Sequence, residues 1–288
     1  MDGETNIRLL LCSDLDRTLL PNGLQDESPQ ARALLRRLAH RPEVSLAYVS
    51  GRHRQLVREA ITEYDLPVPD YVVGDVGTTI YQVAGDAWHF CPAWEAEIAP
   101  AWREYSHDRL TKLFDDMPGL RLQEPDKQNT FKLSFYVSPE MDVATQLARM
   151  QAILDEHGIR AQLIWSVDEV SGSGLLDVLP EWATKYHAIR FLMRQKGYDE
   201  HETVFAGDSG NDLPVLASGL QSVLVANAGH EIRMQAVRLA REQGVADRLY
   251  LAHGGFLGMN GNYAAGVLEG VAHFVPEVRQ WLMAGVEG

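Results

Sequence analysis

The chain has 288 residues, of which 45% are hydrophobic and 23% charged, and this composition excludes the disordered and fibrous classes of protein. Asp and Glu number 40 against 26 Lys and Arg, giving a formal net charge of −14, which makes the phosphate backbone of a nucleic acid an unfavourable partner. The two cysteines, Cys12 and Cys91, are too few for a disulfide framework and indicate a reducing, cytoplasmic compartment. Since no apolar run approaches the roughly 18 residues of a membrane span, we expect no membrane partner.

The first 80 residues alternate short apolar runs with helical patterns. Ile7 to Ser13 and Val44 to Val49 are strand-like, and between them Ser28 to Ala39 has an N-cap serine, a proline at the first helical position and apolar residues at helical spacing. A helix at Gln55 to Tyr64 and a strand at Tyr71 to Val73 follow. This order of elements predicts a doubly wound parallel sheet.

The same alternation resumes near Pro180. The predicted elements there are a helix Trp182 to Lys196, a strand Thr203 to Ala206, a helix Asp212 to Ser218, a strand Ser222 to Val225 and a helical tail. Within the tail, the glycine-rich stretch HGGFLGMNGNYAAGVLEG lacks the ending of a Walker loop and is predicted to be a loop that leads into a helix, Tyr263 to Phe274. We therefore predict an α/β, Rossmann-like core formed by residues 1–83 and 181–288.

Between these halves, residues 84–180 follow a different pattern and are predicted to form an inserted α+β domain. The predicted elements are a helix Trp94 to Asp116, strands Leu120 to Gln123 and Thr130 to Val137, a helix Val143 to His157, and strands Ala161 to Val167 and Gly174 to Leu179. This αββαββ order favours one antiparallel sheet backed by two helices. Alternation in Phe131 to Val137 places Lys132, Ser134 and Tyr136 on a face predicted to be free for ligand.

Polar residues directly follow three of the predicted core strands. They are DLD at 14–16, SGR at 50–52 and GDSGND at 207–212. Each stretch alone is also typical of turns and helix N-caps. In an open α/β sheet, however, ligands bind beyond the carboxyl ends of the strands, so the three stretches together predict a functional site.

The carboxylates of this predicted site indicate a metal and a reaction. Asp14 and Asp16 lie two residues apart in an extended segment, so both side chains can approach one ligand. Together with Asp208 and Asp212 they would repel one another unless a cation lay between them, and hard oxygen ligands favour Mg²⁺. Beside Mg²⁺, one carboxylate can attack a phosphoryl group while a second carboxyl protonates the leaving oxygen and later activates water.

Phosphoryl transfer also needs hydrogen-bond donors and a positive charge. The Ser50 hydroxyl and the backbone N–H groups that follow it can bind the phosphoryl oxygens. Lys185, one of only five lysines, stands near the start of a predicted helix and can offset the charge of the nucleophile and phosphate. The alternative for Lys185 is an ordinary solvated surface lysine.

The segments that carry these residues resemble the four motifs of the haloacid dehalogenase superfamily of phosphohydrolases, in the same order and at the same spacing. They are DLDRTLL, VSGR, the lysine of WATKYHAIRFL, and GDSGNDLPVL. The αββαββ insert between the second and third motifs resembles a type IIB cap. The wider segments SDLDRTLL, LAYVSGRH, PDYVVGDVGTTIY, NTFKLSFYV, LLDVLP and VFAGDSGNDLPVL are similar to the sucrose-phosphate phosphatase branch along most of the chain.

The resemblance implies a role for each matching residue. Asp14 would be the nucleophile, Asp16 the general acid/base, Ser50 a phosphate ligand and Lys185 the charge-balancing lysine. The residues implied for Mg²⁺ are Asp208 directly, Asp14 through a carboxylate oxygen, Asp16 through its backbone carbonyl, and Ser209, Asn211 and Asp212 through ordered water. The residues implied for the substrate are Gly51 and Arg52 at the phosphate and sugar entrance, Asn211, and Lys132 and Asp177 of the cap as ligands of sugar hydroxyls.

Three features depart from this branch. Thr79 stands where an acidic residue is usual, and residues 168–174 (DEVSGSG) form a longer segment than expected. Both lie near the sugar pocket of the branch and bear on which sugar is recognised. Arg17 follows the two aspartates where Gly, Asn or Lys is commoner, and it would face either the leaving group or solvent.

The sequence thus predicts a monomeric, Mg²⁺-dependent sugar-phosphate phosphatase that acts through an aspartyl-phosphate intermediate. Sucrose 6-phosphate, made by an upstream glycosyltransferase resembling sucrose-phosphate synthase, is the favoured substrate. Alternatives are a phosphatase for another disaccharide phosphate, such as mannosylfructose phosphate or trehalose phosphate, and a mutase resembling phosphomannomutase. A non-catalytic phospho-acceptor resembling a response-regulator receiver is a third alternative, but Asp16 and the cap-sized insert have no use in such a module.

Overall fold

The computed structural model describes residues 7–138, 140–167 and 172–284. The strands in this part of the chain are β1 Leu9–Ser13, β2 Val44–Val49, β3 Tyr71–Gly74, β4 Thr79–Ala84, β5 Ala87–Phe90, β6 Leu120–Leu122, β7 Leu133–Val137, β8 Ala161–Val167, β9 Gly174–Pro180, β10 Thr203–Gly207, β11 Gln221–Leu224 and β12 Leu249–Leu251. The α-helices are α1 Ala31–Ala39, α2 Arg54–Glu63, α3 Pro92–Ile98, α4 His107–Leu113, α5 Val143–Glu156, α6 Lys185–Lys196, α7 Leu213–Leu216, α8 His230–Glu242, α9 Ala264–Phe274 and α10 Glu277–Met283. Among the described residues, no helix combines the length and the apolar character needed to cross a bilayer.

Residue contacts divide the chain into two units. The core unit comprises Met1–Phe90 and Lys185–Gly288, and the insert unit comprises Cys91–Thr184. These divisions fall several residues beyond the predicted boundaries at 83 and 180. The first boundary moves because β4 and β5 form a hairpin that pairs with β3 in the core sheet, so residues 84–90, which were expected to belong to the insert, are part of the core unit.

The core unit is built on an eight-stranded sheet in the order β12-β11-β10-β1-β2-β3-β4-β5. The six strands from β12 to β3 are parallel, and β4 and β5 are antiparallel additions at one edge. This confirms the predicted α/β class with a doubly wound parallel sheet. The chain runs outward from β1 through β2 and β3, and outward in the other direction from β10, so the loops after β1 and β10 leave a crevice between them.

Helices cover the central strands of the core sheet. Every residue of β1 and of β10 is buried, as expected of strands covered on both faces. On one face, Leu9 and Leu11 of β1 belong to the same buried cluster as Leu35 of α1 and Val267 and Val271 of α9. These contacts make the ends of β1 and β10 a rigid base for the loops that follow them.

The insert unit has an antiparallel sheet in the order β6-β7-β9-β8. Its own buried cluster includes Leu133 and Phe135 of β7 and Met150 and Leu154 of α5, so this unit has a separate core. The predicted alternation in β7 is only partly right, because Ser134 is also buried.

The predicted long helix from Trp94 to Asp116 is wrong. The structure has α3, a 3₁₀ turn at Ala99–Trp102, and then α4. Pro100 lies in the turn and has no backbone N–H to continue a helix. Arg103, with φ 54°, then turns the chain away from the helical path.

Replacing Gly270 by Ala tests the packing of α9 on β11. A Cβ at Gly270 would overlap both Cγ atoms of Val223, and overpacking of this kind costs about 1–3 kcal/mol. This exceeds the gain of about 1 kcal/mol that Ala brings to a helix interior. We expect Gly270→Ala to lower the urea midpoint of unfolding. Gly229→Ala, whose Cβ would meet no heavy atom within 4 Å, is the control, and an equal shift in both variants would contradict the packing argument.

Candidate active site

The two halves of the core sequence meet where β1 and β10 end side by side. The backbone N–H of Asp14 donates to the carbonyl of Ala206 at 2.9 Å, so Asp14 and Asp208 leave adjacent strands at the same edge. Carboxylate oxygens of Asp14, Asp208 and Asp212 lie within 4.8 Å of one another, and all three residues are buried. The structure therefore brings together three of the four predicted carboxylates.

Lys185 lies inside this acidic cluster. It is the first residue of α6, and its Nζ is 3.0 Å from Asp14 Oδ2 and 2.7 Å from Asp212 Oδ1. It also donates to Asn211 Oδ1 at 3.1 Å. With its side chain only 5% exposed, Lys185 is not a surface lysine. Burial alone would lower its pKa, but the two carboxylates outweigh burial and raise the pKa above its ordinary value.

The pKa of Asp14 lies well above that of an ordinary aspartate. Burial raises its pKa to about 7, with Lys185 acting to lower it and Asp212 to raise it further. Its Oδ1 accepts a hydrogen bond from the Leu15 N–H at 2.7 Å, which fixes the carboxyl group at the end of β1. A carboxylate in this position is desolvated and oriented, as a nucleophile must be.

The ionised form of the Asp208 carboxyl group is also disfavoured. Burial, followed by the charge of Asp212, raises its pKa to about 6, although Arg17 acts to lower it. The Thr18 hydroxyl donates to Asp208 Oδ1 at 3.2 Å, and Arg17 Nε lies 3.6 Å from Oδ2. The Arg17 guanidinium thus lies beside the Asp208 carboxylate. The φ of Arg17, 56°, is in the left-handed region that Gly and Asn adopt more easily.

Asp212 organises the loop after β10. Its Oδ2 accepts from the backbone N–H groups of Asp208 and Ser209 at 3.0 and 3.1 Å and from the Ser209 hydroxyl at 3.2 Å. The close approach requires Gly207, where a Cβ would lie 2.5 Å from the Asp212 carboxylate. Because its Oδ1 binds Lys185, both oxygens of Asp212 are already engaged.

Asp16 faces a different partner from the other three carboxylates. Its two oxygens accept from Arg52 Nε at 2.8 Å and Nη2 at 2.6 Å, and Asn22 Nδ2 donates to Oδ1 at 2.7 Å. Burial alone would raise the pKa of Asp16, but these hydrogen bonds and the Arg52 charge outweigh burial and lower it. The expectation that Asp14 and Asp16 share one ligand through their side chains does not describe this conformation.

The remaining predicted residues are placed as follows. Ser50 follows β2 and is buried, and its hydroxyl accepts from the Arg52 N–H at 3.2 Å. Gly51 has open space at its Cβ position. In the insert unit, Lys132 Nζ lies 3.6 Å from Asp177 Oδ1, and Asp177 also accepts from the Ser134 hydroxyl.

Of the departures from the branch pattern, Thr79 is buried and its hydroxyl donates to Asp75 Oδ2 at 3.0 Å. Thr79 therefore stabilises the turn after β3 through its hydrogen bond to Asp75. Residues 168–171 of the longer segment lie outside the described residues.

Sequence reasoning missed three residues that support the site: Thr18, Asn22 and Asn227. The Pro-Asn-Gly sequence at 21–23 is typical of a turn, so a local signal for Asn22 was present. Asn227, whose Nδ2 donates to the Arg17 carbonyl at 2.6 Å, gave no local signal, because its partner is 210 residues away.

The donor set fits a hard divalent cation. The acidic cluster found among the described residues consists of three carboxylates without His or Cys, which suits Mg²⁺ rather than a softer metal. Burial and mutual repulsion disfavour the ionised forms of Asp14 and Asp208, and a cation would relieve both. Asp14 and Asp208 would bind it, with Asp212 holding the loop in place.

Comparisons with known proteins identify the family of this chain and several of its relatives. The family model for sucrose-6F-phosphate phosphohydrolase matches residues 7–275. A protein of Nitrosococcus oceani, described only at the level of a HAD-like hydrolase, is 57% identical over 97% of this chain and 75% of its own length. Sucrose-phosphatase 1 of Nicotiana tabacum is 29% identical over 93% of this chain, which spans only 59% of the tobacco protein. A solved Synechocystis sucrose-phosphatase, in complex with sucrose and phosphate, matches with a TM-score of 0.71 and 29% identity, covering 93% of this chain and 98% of the other.

The raised pKa values predict how a divalent cation stabilises the protein. Both Asp14 and Asp208 titrate ordinarily at 3.8, but at about 7 and about 6 in the fold. At these two residues the metal-free fold therefore binds more protons than the unfolded chain, so the stability that they contribute is greatest below pH 3.8 and is lost as the pH rises through about 6 and about 7. A cation competes with these protons, so we expect Mg²⁺ to raise the melting temperature more at about pH 8 than at about pH 5.5.

Differential scanning fluorimetry with and without MgCl₂ measures this difference. Asp208→Asn should reduce the gain at the higher pH, whereas Asp247→Asn, at a residue with an 81% exposed side chain, should leave it unchanged. A gain that is equal at both pH values, or that survives in Asp208→Asn, would show that the cation does not bind here.

Proposed function

The chain belongs to the sucrose-6F-phosphate phosphohydrolase family of phosphoric monoester hydrolases, and we propose that it is a Mg²⁺-dependent sugar-phosphate phosphatase that acts through a phosphorylated Asp14. Sucrose 6-phosphate is the favoured substrate. The observation that carries the proposal is the buried Asp14 carboxylate, held 3.0 Å from Lys185 Nζ and beside Asp208 at the end of β1. In this arrangement the Asp14 carboxylate is oriented, and the neighbouring Lys185 supplies a positive charge that suits a phosphate group.

In the first step, an Asp14 carboxylate oxygen attacks phosphorus and the bond to the sugar oxygen breaks. The Ser50 hydroxyl and the N–H groups that follow it donate to the phosphoryl oxygens, while Lys185 offsets the negative charge gathered around Asp14. When bound, Mg²⁺ would supply further positive charge, which reduces the repulsion between the phosphate and the Asp14 carboxylate.

Asp16 protonates the departing sugar oxygen in this step. In the described conformation, Arg52 keeps the Asp16 carboxyl ionised. An incoming phosphate would compete for the Arg52 guanidinium, since bidentate guanidinium binding suits phosphate as well as carboxylate. Loss of the Arg52 pair would raise the pKa of Asp16 and allow the carboxyl group to carry the proton that the leaving group needs.

In the second step, water attacks the phosphorus of phospho-Asp14 and phosphate leaves. The Asp16 carboxylate, now without its proton, accepts a proton from the attacking water. Asp14 returns as a free carboxylate. A second carboxyl with both functions favours hydrolysis over the long-lived phosphoaspartate of a receiver module.

Support for a sugar as the leaving group comes from the relatives and from the insert. The Synechocystis protein similar to this chain was solved with sucrose and phosphate. In the insert, Lys132, which directly precedes β7, forms a polar pair with Asp177 of the neighbouring strand β9, with a donor and an acceptor suited to sugar hydroxyls. The cytoplasmic location, the monomeric state and the upstream glycosyltransferase stay predictions from the sequence.

Phosphate release from a panel of phosphate esters tests the reaction and its substrate. We expect kcat/KM for sucrose 6-phosphate to exceed that for mannosylfructose 6-phosphate and trehalose 6-phosphate by about tenfold or more, a difference that contacts to a few hydroxyls can supply. Asp14→Asn should lower kcat by about a thousandfold or more, with Asp247→Asn as the control. Retained activity in Asp14→Asn would refute the nucleophile, a better rival ester would replace sucrose phosphate, and an isomerised sugar phosphate without free phosphate would indicate a mutase.

The Lys132→Ala variant tests the insert as the source of sugar recognition. Loss of one hydrogen-bonding cation to the sugar should raise KM for sucrose 6-phosphate by about tenfold, corresponding to about 1.4 kcal/mol, and leave kcat/KM for p-nitrophenyl phosphate nearly unchanged. Lys112→Ala, at an exposed lysine of α4, is the matched control. An equal loss with both esters would contradict a role for Lys132 in binding the sugar.

A further inference from the structure

The glycine-rich segment 254–263, which precedes α9, contacts the long loop 17–28 that follows Asp16. The side-chain amides of Asn260 and Asn262 both donate to the carbonyl of Asp26, at 2.8 and 3.0 Å. The Asn260 backbone N–H donates to the Ser28 hydroxyl at 3.0 Å, and that hydroxyl donates to Asn260 Oδ1 at 2.9 Å. Four hydrogen bonds thus join two segments more than 230 residues apart.

The beginning of segment 254–263 is fixed by hydrogen bonds to Glu269. This residue of α9 is 5% exposed, and its carboxylate accepts from the N–H groups of Gly254 and His253 at 2.8 and 3.0 Å and from the Tyr250 hydroxyl at 2.8 Å. A buried carboxylate is costly unless its hydrogen bonds are made. Gly261 passes so close that a Cβ would lie 2.6 Å from the Gly254 nitrogen, so the segment has little freedom to relax.

In loop 17–28, Thr18, Leu19 and Leu20 are buried beside Asp16, but none of residues 21–27 is buried. The side chain of Leu24, near the tip of the loop, is fully exposed, and most of residues 22–26 are exposed as well. A loop with so little buried surface opens easily unless other segments hold it. The conformation of residues 21–28 therefore depends on the hydrogen bonds to segment 254–263, whereas core packing holds residues 18–20.

The loop connects these hydrogen bonds to Asp16. Asn22 donates to Asp16 Oδ1 at 2.7 Å and accepts from the Arg17 N–H at 2.9 Å. A second connection runs through Asn227, which donates to the Arg17 carbonyl at 2.6 Å and accepts from the Tyr263 N–H at 2.8 Å. Residues 260–263, at the C-terminal end of segment 254–263, are thus joined through loop 17–28 and through Asn227 to the residues beside Asp16.

We propose that segment 254–263 is a brace that holds loop 17–28 and so positions the Asp16 carboxyl for proton transfer, with Asn260 and Asn262 as positioning residues. This inference rests on the proposed role of Asp16 as general acid/base. Misplacement of a catalytic group by about 1 Å can cost a hundredfold in rate. The brace therefore acts on the proton transfer and not on the attack by Asp14, which stands on β1.

The leaving group separates these two effects. The alkoxide of a sugar needs a proton to depart, whereas p-nitrophenolate departs with little help, and kcat/KM reports the steps up to departure. In the double variant Asn260→Ala/Asn262→Ala, we expect kcat/KM for the best sugar phosphate to fall about 10- to 100-fold and kcat/KM for p-nitrophenyl phosphate to fall less than about threefold. Amide hydrogen exchange in residues 17–28 should accelerate about tenfold or more.

Three further variants complete the test. Asn262→Asp keeps the side-chain size but replaces one of the two amide donors to the Asp26 carbonyl with an oxygen, so it should produce the same selective loss as the double alanine variant, in a smaller measure. Gln235→Ala removes an exposed amide that donates to Glu231 on the same helix, and it should change neither rates nor exchange. Asp16→Asn should show the same selective loss with the sugar phosphate, in a larger measure.

The outcomes distinguish failure of the brace from failure of the proposed function. Equal losses with both esters, or unchanged exchange in residues 17–28, would overturn the brace even where Asp14→Asn and Asp16→Asn behave as expected. If the wild-type protein hydrolyses no phosphate ester, the proposed function has failed. Hydrogen exchange in the double variant then still decides whether segment 254–263 holds the loop.

Discussion

The structure of the site depends on one buried cation between two buried carboxylates. Lys185 joins Asp14 at the end of β1 to Asp212 in the loop after β10, although the insert separates Lys185 from Asp14 in the chain. Breaking a buried ion pair by removing one partner costs about 3–5 kcal/mol, because the remaining charge is left without compensation. The same lysine that joins the two loops also acts to lower the pKa of Asp14, the proposed nucleophile, so one residue bears on both stability and the proposed reaction.

The charge felt at this site is set by its nearest groups rather than by the net charge of the chain. The formal charge of −14 would oppose an anionic substrate if it were spread evenly, but the field in a cleft comes from its nearest groups. Arg17 faces Asp208 and Arg52 faces Asp16, while Lys185 serves Asp14 and Asp212. Each acidic side chain of the site thus has a cationic neighbour, and a phosphate group competes with carboxylates for cations already in place.

Much of the core could be predicted because its signals are local. The apolar runs that form β1, β2 and β10 are followed directly by polar residues. The start of α1 was predicted wrongly, because Ser28, expected as its N-cap, donates to Asn260 instead, and the helix begins at Ala31 after Gln30. The β4–β5 hairpin escaped prediction because only two of its ten strand residues are buried, so it lacks the buried pattern of central strands. Ser134 was expected on an open face, and it is buried because its hydroxyl pairs with Asp177 on the neighbouring strand.

Residue order and spacing were sufficient to identify the parallel-sheet class, the acidic cluster around Asp14 and the chemistry that such a cluster favours, since strand ends and paired carboxylates are properties of short segments. The sequence did not reveal that Asp16 pairs with Arg52, that Lys185 is buried, or that Asn227, Asn260 and Asn262 hold the loop beside Asp16. Those relations join residues tens to hundreds of positions apart, and hydrogen bonds of a few ångströms between them exist only once the sheet has brought its strand ends together.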